Sequence, residues 1–248
     1  LSFKIFLALG LLLCGSFAKA ADRGSAGGIF QRAAQRESKR WTLQEWLEQK
    51  EKNRMMDLWL ALNSPSPYEA ALDLSYFSYQ NKTPPAIDTS YTVNEMSFSA
   101  YAALVGVTLE YSKNEKENFN DLTGLLNLRL FGNSIQSTYL TVHVGQRTRT
   151  LGLPTADLVL RQTVTQASLQ LYLNKHVGID GLFRQYGPAN DPLLGDVTGQ
   201  LTQAGLFIDF QAFRIYGAWT QEVHTTTLSG VETKTNRTGI KTGFKIFF

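Results

Sequence analysis

The chain of 248 residues holds a single cysteine, Cys14, with only seven prolines and three histidines. One cysteine excludes an internal disulfide framework and clustered thiolate metal sites. No two histidines are close in sequence, no H-x-x-x-H pair occurs and no acidic calcium-loop spacing is present, so neither a metal nor another cofactor is expected. A glycine-rich phosphate loop opening onto a helix is missing as well. Net charge is small, with 24 Lys and Arg against 21 Asp and Glu, and this balance argues against a nucleic-acid partner. Beyond the first twenty residues, no apolar run approaches the roughly 20 residues that a membrane-spanning helix needs. Any membrane span must therefore be made of strands, and then only as a closed barrel, because lipid cannot satisfy an open sheet edge.

What is present begins with a short apolar stretch. Residues 5–13, with Cys14 and Phe17, follow Lys4 and close on Ala18-Lys19-Ala20. This pattern predicts a secretory signal peptide over 1–20, cleaved before Ala21. The bulky Leu13 before Cys14 argues against acylation of that cysteine. Cleavage removes two of the 24 basic residues and leaves 22 against 21 acidic ones. Residues 21–40 open with Gly24, Ser25, Gly27 and Gly28 and then carry Arg32, Arg36, Lys39 and Arg40, the composition of a flexible basic arm. Thr42-Leu43-Gln44-Glu45 has the form of a capping box, and Trp41 and Trp46 occupy the staple positions on either side of it. Leu58, Trp59 and Leu62 resume the apolar stripe after a break over 49–54, so an amphipathic helix, either one frayed helix or two short ones, is expected over 41–63, ahead of a proline linker at 64–67. Its Trp residues suit a membrane interface. A plug in a barrel mouth and a tether to a periplasmic partner are the other two placements.

From residue 68 onward the hydrophobic period is two, which decides for strand over helix. In 68–80, Ala70, Leu72, Leu74 and Tyr76 face one way, while Glu69, Asp73, Ser75 and Phe77 face the other. The same dyad recurs in 122–131, 135–148, 176–187, 198–210 and the stretch from Phe213. Between 156 and 173 the phase slips, since Leu158 and Leu160 share one parity while Leu169, Leu171 and Leu173 share the other. A bulge, or a strand reaching beyond the bilayer, is expected there. Connections alternate long (227–235, 188–197) and short (211–212, 174–175), which predicts one rim of long loops and one of tight turns. Splitting 90–113 near Tyr101 and Ala102 puts both ends of the barrel on the same side. The expectation is an all-β, antiparallel, up-and-down transmembrane barrel of about ten strands over 68–248, with eight or twelve also compatible with the pattern.

The last eleven residues sharpen this. Ile240, Thr242, Phe244, Ile246 and Phe248 lie on one face of a strand that ends on Phe, with Gly239, Lys241, Gly243, Lys245 and Phe247 on the other. This resembles the C-terminal signal of Gram-negative bacterial outer-membrane β-barrel proteins, in which Phe244, Ile246 and Phe248 would be read by the barrel-assembly machinery. The resemblance reaches the superfamily and no single family in it. It implies an outer-membrane location with a periplasmic N-terminal extension, outer-membrane lipids and the assembly machinery as partners, and a monomer.

Strand parity places Glu69, Asp73, Glu110, Asp180, Asp209 and Glu222 inside, together with Arg129, Arg147, Arg184, Arg214, Lys241 and Lys245. An even set in a narrow barrel predicts a salt-bridged lumen. The expected protein is a small or closed pore, or a structural or surface-interaction protein of the envelope, with small solutes as the only cargo that would fit. The alternative is a lipid-directed hydrolase or acyltransferase in which His224 and Glu222 at the outer rim form the acid–base pair, helped by Asp191, Asp196 or Ser229. His143 is placed mid-strand in the lumen and His176 at an inner turn. A helix ahead of the barrel is similar to the lipid A palmitoyltransferases, but their eight strands and His-Asp-Ser set are not matched. Omptin proteases have ten strands, and their rim acids are not recognisable either.

Overall fold

A computed structural model of the chain describes residues 30–31, 34–37, 42–45, 68–82, 89–152, 157–191, 194–228 and 230–248. Ten antiparallel strands close on themselves: β1 (Tyr68–Lys82), β2 (Thr89–Ala102), β3 (Val105–Asn114), β4 (Phe119–Phe131), β5 (Tyr139–Gly152), β6 (Asp157–Tyr172), β7 (Val177–Asp191), β8 (Gly195–Phe210), β9 (Phe213–Leu228) and β10 (Val231–Phe247). Every strand pairs with its neighbours in the chain, and β1 pairs with β10 to complete the barrel. Ala71 stands opposite Phe247 and Asp73 opposite Lys245 in that closing ladder. No sheet edge is left unpaired, which is the condition for residence in lipid.

Side chains alternate across the wall as the period of two requires. Leu126, Leu206, Val144, Ile215 and Ile240 are among the large apolar residues exposed on the outside, while Arg129, Arg147, Arg214, Asp209 and Gln170 are buried inside. A polar interior under an apolar exterior inverts the pattern of a water-soluble domain, and it is the pattern of a transmembrane barrel. On β10, Ile240 and Phe244 face outward, while Phe247 is buried in the lumen.

Strand limits differ from the sequence expectation in ways that have physical causes. The division within 90–113 falls at Ala103 and Leu104, where Ala103 takes φ 54° without any Gly, Asn or Pro to announce a turn. Residues expected to form long loops are largely strand: β7 runs on to Asp191, β8 begins at Gly195, and only residues 229–230 separate β9 from β10. The longest connection at the end that carries Tyr68 and Phe248 is 132–138. The long-and-short alternation is therefore not present, because polar and charged residues extend the strands beyond the apolar belt.

Two further expectations are corrected. Residues 135–138 are not the start of a strand. They belong to a connection folded into the barrel, with Asn133, Ser134, Ile135, Gln136, Ser137 and Thr138 all buried. Gly132 permits the entry, having φ 100° and only 2.5 Å between a would-be Cβ and the Thr138 carbonyl oxygen. Across 156–173 the register of β6 with β5 is continuous. The apparent phase slip arises because Leu160 and Val164 face the lumen, where Val164 packs with Leu125 and Tyr186. The register shift lies instead in β7, between Tyr186 and Ala189. Pro188 falls there and has no N–H to give to a ladder.

The helical residues 30–31, 34–37 and 43–45 sit at the end that carries Tyr68 and Phe248. The capping box is formed: Glu45 Oε2 accepts from Thr42 N at 2.9 Å, and Thr42 Oγ1 accepts from Glu45 N at 3.3 Å. Trp41, Trp46 and Trp59, residues 1–20 expected as a signal peptide, and the expected 64–67 linker lie outside the described residues.

Candidate functional site

The lumen is organised in three layers. The lowest, beside the chain end, is built by the 132–138 connection and the surrounding wall. Arg129 donates to Glu69 Oε2 at 2.8 Å, and the same oxygen accepts from Ile135 N at 3.1 Å. Gln170 Nε2 donates to the Ser137 carbonyl at 2.7 Å, while Gln136 Nε2 reaches the Gln211 carbonyl. Arg214 donates to Asp209 at 2.6 Å and to Tyr172 Oη at 2.8 Å, with its guanidinium 3.8 Å from the centre of the Phe207 ring. From the N-terminal segment, Arg36 is itself buried and donates to the carbonyl oxygen of Phe248 at 2.6 Å and to Gln136 Oε1 at 3.5 Å. Phe30 contacts Phe213, and Glu37 lies 3.6 Å from His176. This end is closed by backbone and side chains joined in one hydrogen-bonded layer.

The layer at the opposite end is a lattice of three arginines and three carboxylates. Asp121 accepts from Arg149 Nε and Nη2, each at 2.7 Å, and from Arg147 Nε at 3.1 Å. Glu222 accepts from Arg237 at 3.0 Å and Arg147 at 3.4 Å. Arg237 also donates to Glu117 at 2.7 Å, and Tyr79 Oη donates to the same carboxylate at 2.7 Å. The guanidinium planes cover aromatic faces, Arg149 over Phe119 at 4.4 Å and Arg147 over Tyr186 at 4.2 Å. Charge in this layer cancels, and the fork geometry of arginine lets Asp121 and Glu222 each be bridged by more than one arginine.

Between the two layers lies a cavity of about 240 Å³. Its wall carries Arg184 bound to Glu110 at 2.8 Å, Lys245 at 3.2 Å from Asp73, and Lys241 in contact with Glu95. Tyr216 Oη donates to Asp73 at 2.8 Å. Asp180 has no basic partner among the described residues and accepts only from Gln203, at 3.4 Å. His143, Ser168 and Gln166 line the same cavity.

The residues singled out by parity thus meet in pairs: Glu69 with Arg129, Asp209 with Arg214, Glu110 with Arg184, Asp73 with Lys245, and Glu222 with Arg147. Lys241 instead takes Glu95. Parity reasoning missed Asp121, Arg149, Arg237, Glu95 and Glu117. The apolar alternation that marks a strand ends short of Asp121, Arg149 and Arg237, although each shares its parity with an inward charge on its own strand: Arg129, Arg147 and Lys241 respectively. Glu117 lies in a connection, where parity has no meaning.

His224 and Glu222 are 2.9 Å apart. They lie inside the barrel and not on a lipid-facing rim: both are buried, and His224 stacks on Tyr186. Glu222 is shared among arginines. Asp196 is engaged by Asn190, and Asp191 accepts from Leu194 N. Ser229 lies outside the described residues. The lumen-facing direction follows from the even parity of β9, in which Arg214, Tyr216, Thr220, Glu222 and His224 are all buried. Among the described residues no group of three or more His, Cys, Asp or Glu could hold a metal ion.

No protein-family model matches the chain, and no curated protein matches it by sequence. Solved structures do resemble it. OccAB4 of Acinetobacter baumannii is 11% identical over 69% of this chain and 57% of that one, with a TM-score of 0.26. This chain therefore spans little more than half the length of OccAB4. Ail, the attachment invasion locus protein of Yersinia pestis, is 12% identical over 72% of this chain and 99% of that one, with a TM-score of 0.24. The outer membrane protein Omp33 of Acinetobacter baumannii is 11% identical over 74% and 100% of the two chains, with a TM-score of 0.26. These neighbours are outer-membrane β-barrels, and at such scores the assignment of this chain as a transmembrane barrel stands on its own strand ladder and outward apolar belt.

Proposed function

We propose that the protein is an integral outer-membrane barrel whose lumen is closed at rest, with the end bearing Tyr68 and Phe248 in the periplasm. The observation that carries this reading is the pair of closures: the buried 132–138 connection with Arg36 beneath it at one end, and the Asp121–Arg147–Arg149–Glu222–Arg237 lattice at the other. A ten-stranded barrel has little free cross-section, and its side chains fill most of it. The lumen cavity of about 240 Å³ is smaller than the 300–1,000 Å³ typical of ligand pockets, and would admit only small polar solutes. Its role in the envelope is therefore that of a pore closed to steady ion flow, whose cavity a small solute reaches only when a closure opens transiently.

The refolded full chain in a planar bilayer is expected to show no steady single-channel conductance. Combining Arg36→Ala, which releases Phe248 and Gln136, with Glu222→Gln, which weakens the hold on Arg237 and Arg147, should produce intermittent openings. Steady conductance by the wild-type chain would overturn the closed-pore reading.

A further inference from the structure

We infer that Ser168, His143 and Asn127 form a hydrolytic site inside the lumen, acting on short-chain acyl esters. The three residues come from adjacent strands, β6, β5 and β4. Asn127 stands directly opposite His143 in the ladder, and Ser168 is two pairs along, opposite Thr141 and on the same face. His143 Nε2 lies 2.7 Å from Ser168 Oγ, and His143 Nδ1 lies 2.6 Å from Asn127 Oδ1. A histidine in a polar lumen will ordinarily bond to whatever stands nearby. Here, however, both ring nitrogens are committed, one to a hydroxyl on the cavity wall and the other to an amide oxygen that is itself fixed.

That fixing comes from the next bonds in the chain. Asn127 Nδ2 donates to Thr108 Oγ1 at 2.8 Å, and in this orientation the amide oxygen faces the imidazole. Thr108 Oγ1 is 2.9 Å from Ser99 Oγ, and, since it accepts from Asn127, its own hydrogen is free to go to Ser99. Asn127 Oδ1 can only accept, so Nδ1 carries the proton and Nε2 is left with its lone pair toward Ser168. This is the arrangement of a nucleophile, a general base and an orienting group. Arg184 stands across the ladder from Gln166, which is itself opposite His143, so a guanidinium that is paired with Glu110 is held one strand from the reacting pair. It donates to Gln166 Oε1 at 2.6 Å, which holds the guanidinium in place.

The chemistry balances without any further oxidant or metal. Ser168 Oγ attacks the ester carbonyl carbon as His143 Nε2 takes the hydroxyl proton. The tetrahedral oxyanion collapses, the carbon–oxygen bond to the alcohol breaks, and His143 returns the proton to the departing alkoxide. Water, deprotonated by the same Nε2, then attacks the acyl–Ser168 ester and releases a carboxylic acid and the free serine. A cavity of about 240 Å³ limits the acyl part to a short chain and excludes a long-chain lipid. Asn127 is a positioning residue in this scheme, because it acts through His143.

The test uses the refolded full chain in detergent micelles with p-nitrophenyl acetate, reading p-nitrophenol release and, by peptide mass spectrometry, acetyl on Ser168. Acetylation of Ser168 in the wild type is expected, with its loss in Ser168→Ala. His143→Gln should slow release by about 100-fold or more. Asn127→Ala should lower kcat while leaving KM near its wild-type value, a split that a general loosening of the barrel would not produce. Folding of every variant is checked by the heat-dependent shift in gel mobility that closed barrels show. Folded chain with no acetyl on Ser168 even when Arg36→Ala and Glu222→Gln loosen both closures, or Ser168→Ala releasing p-nitrophenol at the wild-type rate, overturns the inference. Conductance is read on the same wild-type and Arg36→Ala, Glu222→Gln chains, so a sealed barrel and an inert serine are distinguishable failures.

Discussion

Asp209 is fully buried, and Arg214 meets it through two nitrogens at 2.6 and 3.0 Å. Taking Arg214 away leaves the Asp209 carboxylate without its counter-charge, held only by neutral groups such as Tyr172, which costs about 3–5 kcal/mol, whereas replacing both with apolar residues of similar volume is often close to neutral. Arg214→Met is accordingly expected to lower the urea midpoint of the refolded barrel strongly. The double variant Arg214→Met with Asp209→Leu should recover most of the loss, and a double variant no better than the single one would mean that Arg214 acts mainly through Tyr172 and Gln170. At this scale the sequence was informative about direction and silent about partners. Parity alone turned Asp209 and Arg214 inward. That Lys241 would take Glu95, and that Arg147 would share Asp121 with Arg149, depends on which strands face each other across the lumen.

The seam between β1 and β10 is the element on which closure depends, since its two strands are the first and last of the barrel. Gly239 sits in that seam with the position of a would-be Cβ only 2.0 Å from the Ser78 carbonyl oxygen and 2.5 Å from Tyr79 Cα. Backbone cannot yield as a flexible side chain can, so Gly239→Val is expected to prevent β10 from pairing with β1. Gel mobility that no longer shifts on heating would report the open barrel; a normal shift would show that the seam accommodates the side chain. The pattern of 238–248 revealed this strand and its two faces without any structure, because alternation sustained over eleven residues fits the two-residue period of a strand and not the 3.6-residue period of a helix. The buried 132–138 connection was not legible in the same way. Ile135 reads as the apolar start of a strand, and only the acceptors waiting inside the barrel, Glu69 above all, make a turn there more favourable than another pair in the ladder.

For the whole molecule the decisive property is an apolar exterior around a charged interior. Leu126 is 66% exposed and stands opposite Val107 and Val144, both also exposed. If this patch lies near the bilayer midplane, Leu126→Arg should cost about 2–4 kcal/mol in a folding titration carried out in lipid vesicles. A much smaller loss would move that patch toward the headgroups. The sequence by itself determined the class of structure, because period-two alternation, the lack of a spanning helix and a terminal aromatic strand together admit a closed barrel and little else. It also determined which residues face inward wherever a strand was recognised. The tertiary structure decided how the ends are closed, that Arg36 reaches Phe248, and that Ser168, His143 and Asn127 form one hydrogen-bonded row. Such arrangements join residues from different strands, and their register is set by the closing of the whole ladder, so local periodicity carries no record of them.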